Sequence, residues 1–176
     1  MKGTCMKRCI VVVCGLMALS ALAVWAVTAD PGERPTYLKL TPILMVNDVN
    51  QTLDFYEQVL GFETSLVVPE DKQEEVLTQR PSGRTLVFAL IKAGPVEIMV
   101  QSRKSMTKEF AAIKDADPYA SASFYIEVKD VDRLYERIQG KTQVLARPMN
   151  KPYGKRELTI RDLNGYILTF ACNIEK

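Results

Sequence analysis

The sequence predicts an α+β fold: two βαβββ modules forming one cupped mixed β-sheet, with helices on its outer face. Three observations carry this. One strand–helix pattern occurs twice along the chain. The strands alternate between a uniformly apolar set of side chains and a mixed set. The composition, 47% hydrophobic and 25% charged with a net charge of +2 over 176 residues, is that of one globular domain. Neither a disordered chain nor a disulfide scaffold has this balance.

Residues 1–29 stand apart. Lys2, Lys7 and Arg8 precede an unbroken run of 18 weakly polar to apolar residues from Ile10 to Val27, and Val27-Thr28-Ala29 closes it with small side chains. That order predicts an export signal cleaved after Ala29. The run is also just long enough for an uncleaved membrane anchor over residues 10–27, and both readings stand. Either way the segment is excluded from the fold, and the domain is exported to the periplasm or beyond, or held at the membrane by that segment alone. Without it, 20 basic residues face 21 acidic ones, and of four cysteines only Cys172 remains. No basic tract remains, which argues against a nucleic-acid partner. Residues 30–36 form a Pro/Gly linker.

The repeat then begins. Module one spans 37–101. Tyr37–Val46 reads as a strand, Asn47-Asp48-Val49-Asn50 as a helix start, and the helix runs to about Leu60. Module two spans 120–174, where Ala122–Val128, Lys129-Asp130-Val131-Asp132 and a helix to Gln139 repeat the order. Asp48 and Asp130 are placed to cap free N–H groups. Leu53, Tyr56 and Leu60 share one helical face, as do Val131, Leu134 and Ile138. Gly61 and Gly140 are stop signals. Three strand-like segments follow each helix: 62–68, 85–91 and 96–101 in the first module, and 142–148, 156–161 and 166–172 in the second. The connector 102–119 is polar, with a helical stretch near Met106–Ile113. Pro69–Arg84 is a charged loop read as a solvated connection. Tyr153-Gly154 and Asp162–Gly165 read as turns.

The stretches TPILMVNDVNQTLDFYEQVLGFE and FYIEVKDVDRLYERI, with PYGKRELTIRDLNGYILTF, resemble the two modules of the glyoxalase/bleomycin-resistance/dioxygenase proteins, the vicinal oxygen chelate superfamily. The Asp-Val, Leu-x-Phe-Tyr and Leu-Gly-Phe of the first stretch fall at family spacing, as do the Tyr-Gly and Asp-x-Asn-Gly of the second. The likeness covers about residues 38–173. It implies a ligand cavity in the cup. Period-two alternation then sends Ile43, Met45, Glu97, Met99, Gln101, Ser123, Tyr125, Glu127 and Thr169 into that cavity. It sends Leu44, Val46, Ile98, Val100, Phe124, Ile126, Val128, Leu168 and Phe170 toward the helices.

The family's divalent metal is held by His and Glu side chains, and its four ligand positions fall here on Thr41, Met99, Ser123 and Thr169. Neutral hydroxyls and a thioether do not replace carboxylates around a hard cation. The chain also has no histidine, which removes the commonest metal ligand and general base together. No cofactor is expected. The alternative is a shifted oxygen-rich metal site from Glu97, Gln101 and Glu127. Cys172 reads as a buried, inert thiol without a cationic partner. The resemblance therefore implies a small-molecule binder like the bleomycin-binding members, which sequester ligands in grooves shared by two chains, so a homodimer is expected. Two alternatives remain: a glyoxalase-type lyase, isomerase or dioxygenase with relocated ligands, and a ligand-free protein-interaction domain.

Overall fold

The computed structural model describes residues 37–115 and 122–174. The export or anchor segment, the linker 30–36 and the end of the connector lie outside the described residues. The described residues from Lys39 onward form one compact unit.

Each module follows the predicted order. Module one contains β1 (Ile43–Val46), α1 (Val49–Phe55) continued by a π-helical turn (Tyr56–Leu60), β2 (Glu63–Pro69), β3 (Leu86–Ala93) and β4 (Val96–Ser102). After α2 (Arg103–Glu109) and a 3-10 turn (Ala111–Ile113), module two contains β5 (Ser123–Glu127), α3 (Val131–Ile138), β6 (Gln143–Asn150), β7 (Lys155–Arg161) and β8 (Ile167–Asn173). The hydrogen-bond ladders stay within the modules. They make two four-stranded sheets, A in the order β1-β4-β3-β2 and B in the order β5-β8-β7-β6. In both, the first strand runs parallel to the last and the other neighbours are antiparallel. The cup is thus two half-cups.

The caps explain why the helices start where they do. The Asp48 carboxylate accepts from the Gln51 N–H at 2.9 Å, and Asp130 accepts from the Arg133 N–H at 3.0 Å. Helix one ends at Gly61, whose φ of +79° suits a residue without Cβ. A Cβ there would also lie 2.9 Å from the Arg137 guanidinium, a flexible group that can yield. Gly61→Ala is therefore expected to lower stability by about 1–2 kcal/mol, the cost of left-handed backbone, as read by urea unfolding.

β1 is shorter than the segment Tyr37–Val46. Ile43 pairs with Met99, and the β3–β4 hairpin turns at Gly94-Pro95, so β4 offers no partners to the residues before Leu40. Pro42 has no N–H to give to a ladder. The connector helix ends at Glu109, and a separate 3-10 turn follows it.

The strand alternation is as expected. Leu44, Val46, Ile98, Val100, Ile126, Leu168 and Phe170 are buried in one core with Val49, Leu53, Tyr56, Val131 and Ile138 from the helices. Phe124 and Val128 pack partly against it. Burying such side chains contributes about 1.5–3 kcal/mol each. The loop 70–84 is not a free solvated connection. Arg80 pins it to helix one through Asp54 at 2.8 Å, Glu57 at 3.0 Å and the Asn50 carbonyl at 3.3 Å. Leu77 pairs with Val67 and packs on the core.

The Asp162–Gly165 turn is also more than a turn. Asp162 Oδ1 accepts from the N–H groups of Asn164 and Tyr166 at 2.9 and 2.8 Å. Its Oδ2 accepts from the Tyr56 hydroxyl of module one at 3.0 Å. The Asn164 amide donates to Thr52 at 3.0 Å, and the Tyr166 hydroxyl donates to the Met45 carbonyl at 3.0 Å. All these side chains are buried. The turn is a polar clasp between the modules.

Candidate functional site

The ladders arrange the uncovered sheet faces in rows. On sheet A, Ile43, Met99 and Leu90 lie side by side, with Leu66 next to Leu90 on the edge strand. A second row holds Met45, Gln101, Phe88 and Val68. Ile43 is 44% exposed, whereas Met45 and Gln101 are each only 6% exposed. The cause is α2. The Gln101 amide donates to the Ser105 hydroxyl at 3.0 Å and to Glu109 at 2.9 Å, which draws that helix over this end of the face. Sequence reasoning did not place α2 there.

At the other end of sheet A, the Glu97 carboxylate is held by Lys39 and by Lys92 at 3.2 Å. These two ammonium groups, Lys39 first, hold its carboxyl below the ordinary value. On sheet B, Glu127 is bound by Lys155 at 2.5 Å. The three members of the conceivable shifted metal site therefore have other partners: Glu97 two lysines, Gln101 α2, and Glu127 a lysine on the second sheet. Thr169 bonds Thr159 at 3.1 Å, side chain to side chain, and Ser123 is exposed on the edge strand β5. Thr41 and Met99 complete the family's ligand positions with a hydroxyl and a thioether. This donor set does not fit a hard divalent cation. Among the described residues no group of three or more His, Cys, Asp or Glu side chains could hold a metal.

Sheet B carries the most organised polar group of the open faces. Tyr125 on β5 and Tyr153 in the β6–β7 turn both donate to Glu157 Oε1, each at 2.8 Å. Glu157 on β7 is 7% exposed, while the two tyrosines are 53% and 65% exposed. Lys151 Nζ lies 4.0 Å from Oε2. Lost solvation and the bond to Glu157 push the Tyr125 phenol up to about 12. The Glu157 bond, ahead of lost solvation, raises Tyr153 as well. Both phenols therefore stay protonated donors near neutral pH and are not general bases.

Of the expected cavity residues, the structure groups Tyr125, Glu127 and Thr169 on sheet B with Ser123 at the edge, and Ile43, Met99, Met45, Gln101 and Glu97 on sheet A. Glu157 was missed, and Tyr153 was read only as part of a turn. The signal for Glu157 was available: if Leu158 and Ile160 point inward, Glu157 points outward by alternation.

Cys172 is half-buried and packs partly on the core. It does have a cationic neighbour: its partner on β7 is Arg156, and both line a hollow of about 440 Å³ on the helix side. That guanidinium is committed to Asp132, at 2.6 and 2.7 Å, and to Asn150.

Comparison with known proteins agrees with this architecture. The family profile for the "Glyoxalase/Bleomycin resistance protein/Dioxygenase superfamily" matches residues 38–170. An uncharacterized Bacillus subtilis protein, YraH, is 28% identical over 127 residues, covering 70% of this chain and 86% of its own. The crystal structure of TioX from Micromonospora sp. ML1 superposes with a TM-score of 0.54 at 20% identity, over 77% of this chain and 99% of that one. A glyoxalase/bleomycin resistance protein/dioxygenase from Nocardioides gives 0.57 at 16% identity, over 81% and 87%. At these identities the structural likeness speaks for the fold alone. With three quarters of its length matched by the family profile, the chain belongs to the glyoxalase/bleomycin resistance protein/dioxygenase superfamily.

Proposed function

We propose that this protein binds a small organic molecule between its uncovered sheet faces, without the divalent metal usual in its family, and that two copies close the site. One observation supports this above all: the parts of the two faces that stay exposed are opposite in character. Sheet A presents Ile43 and Met99 beside the buried Leu90, and sheet B presents Tyr125, Thr169 and Thr159 beside the buried Glu157. The modules share the core behind these faces and are clasped at Asp162, so the faces are not paired with each other across that core. Two copies that set the apolar face of one chain against the polar face of the other would suit an amphipathic ligand, the apolar side giving affinity and the polar side orientation.

The test uses protein purified without a polyhistidine tag. Elemental analysis is expected to find no stoichiometric divalent metal, and added Mg²⁺, Mn²⁺ or Zn²⁺ to leave the melting temperature unchanged. A thermal-shift screen of amphipathic small molecules is expected to yield stabilising ligands whose effect is lost in Tyr125→Ala. A stoichiometric metal that disappears in Glu97→Ala or Glu127→Ala would overturn the metal-free reading.

A further inference from the structure

The Glu157 carboxylate has an asymmetry that bears on the ligand. Both tyrosine hydroxyls bond Oε1, and neither bonds Oε2. Among the described residues Oε2 has only the Lys151 ammonium, 4.0 Å away, which is an ion-pair contact and not a hydrogen bond. No buried side-chain nitrogen or oxygen lacks a partner among the described residues, so Oε2 meets solvent from the open face. Glu157 is thus a carboxylate more than nine-tenths buried whose second oxygen keeps only a small contact with solvent. Much of that oxygen's hydration is already lost, so a cation that hydrogen-bonds it directly is favoured.

The neighbours suit a cation. Glu157 stands opposite Ala171 on β8 and near Met149 on β6. Ala171 is also the partner of Glu127, so a second carboxylate lies two strands away, about 10 Å at ordinary strand spacing. The alanine between them is itself fully buried. The exposed rings of Tyr125 and Tyr153 flank the Glu157 carboxylate, and Met149 is exposed beside it. Aromatic rings next to an anion favour an organic cation, because the ring faces and the carboxylate attract the same charge.

Lys151 is a weak occupant of this place. Besides Glu157 at 4.0 Å, its ammonium contacts the Met149 sulfur at 3.3 Å, a poor acceptor. It sits next to the exposed turn residues Pro152–Gly154, on a long flexible side chain that can swing into water. An incoming ammonium at hydrogen-bond distance from Oε2 replaces a loose ion pair with a tight one.

We infer that the open face of sheet B selects ligands carrying a protonated amine, with Glu157 as counter-ion and Tyr125 and Tyr153 as walls. This rests on the proposed binding at the open faces and narrows it to a chemical class. The test compares 2-phenylethylamine, protonated at pH 7, with its neutral counterpart 2-phenylethanol. Both are titrated into the full-length protein, with NMR following the tyrosine ring signals and the Glu157, Ala171 and Met149 amides.

The amine is expected to bind at least tenfold more tightly than the alcohol. Glu157→Gln should bring the amine's affinity down to that of the alcohol. Lys151→Met, which removes the internal competitor from an exposed turn, should tighten the amine about threefold or more. An unchanged amide spectrum elsewhere verifies that each variant is folded. If both probes bind equally and Tyr125→Ala weakens both, the binding face stands and the amine class falls. If neither probe shifts these residues, the amine site on sheet B is overturned.

Discussion

Asp162→Ala is expected to cost about 3–5 kcal/mol of folding stability and to lower the melting temperature by on the order of 10 °C. The residue lies in a turn, where sequence reasoning expects tolerance. Its carboxylate, however, accepts three hydrogen bonds, from the Asn164 and Tyr166 N–H groups and from the Tyr56 hydroxyl. Tyr56 is fully buried, so alanine leaves its hydroxyl without an acceptor inside the core. Each orphaned buried donor costs about 1–3 kcal/mol. The loss also loosens the link between modules, because Asp162 and Tyr56 belong to different halves of the repeat.

Asp162→Asn separates charge from geometry. Burial pushes the Asp162 carboxyl above its ordinary value of 3.8, with its backbone and Tyr56 hydrogen bonds opposing. A folded-state value above the unfolded one means that the native protein holds the proton more tightly. The contribution is then fully present below about pH 4 and declines as pH rises through the raised folded-state value. Asp71, Glu97 and Asp132 have the opposite sign, since Arg84, Lys39 and Arg156 hold them low. Their stabilisation is present above the unfolded values and is lost as pH falls. The difference between wild type and Asp162→Asn isolates the clasp. Melting curves from pH 3 to 7 should show the wild type losing ground to the variant as pH increases. A constant difference across that range would show that Asp162 does not titrate on this account.

The two modules could be read from sequence because their signals are local. Asp48 and Asp130 cap helices within three residues of themselves, and period-two alternation sorted Leu44 from Ile43 and Ile126 from Tyr125 without knowledge of any partner. What escaped depends on register and on segments meeting across long stretches of chain. Glu157 becomes a site residue only when β7 brings it under Tyr125, 32 residues earlier, and when the turn folds Tyr153 back over it. Asp162 becomes a clasp only when Tyr56, 106 residues earlier, reaches it. Met45 and Gln101 pair with each other in the ladder, yet α2 covers them, and no periodicity within a strand reports what lies above it. The division into two sheets is of the same kind. Alternation fixes the two faces of a strand and says nothing of which strands share a ladder.

Ile43→Lys is expected to leave the domain folded and yet abolish both dimerisation and ligand binding. Within one chain the side chain is 44% exposed at the edge of sheet A, so an ammonium can stay in water there. Lysine is a weaker strand former than isoleucine, but β1 is short and its inward residues Leu44 and Val46 are untouched. The melting temperature should therefore fall by only a few degrees. If a second copy covers the row Ile43, Met99 and Leu90, the same ammonium must be buried against apolar atoms without a carboxylate. An unpaired buried charge costs several kcal/mol. About 3 kcal/mol is already a hundredfold loss of affinity, enough to convert a micromolar dimer to a monomer at ordinary working concentrations. Light scattering coupled to size exclusion reads the first effect, and thermal shift with a stabilising ligand reads the second. A variant that remains dimeric would place the contact between copies elsewhere. A monomeric variant that still binds would show that sheet B holds the ligand alone, with its affinity resting on the Tyr125–Glu157–Tyr153 group.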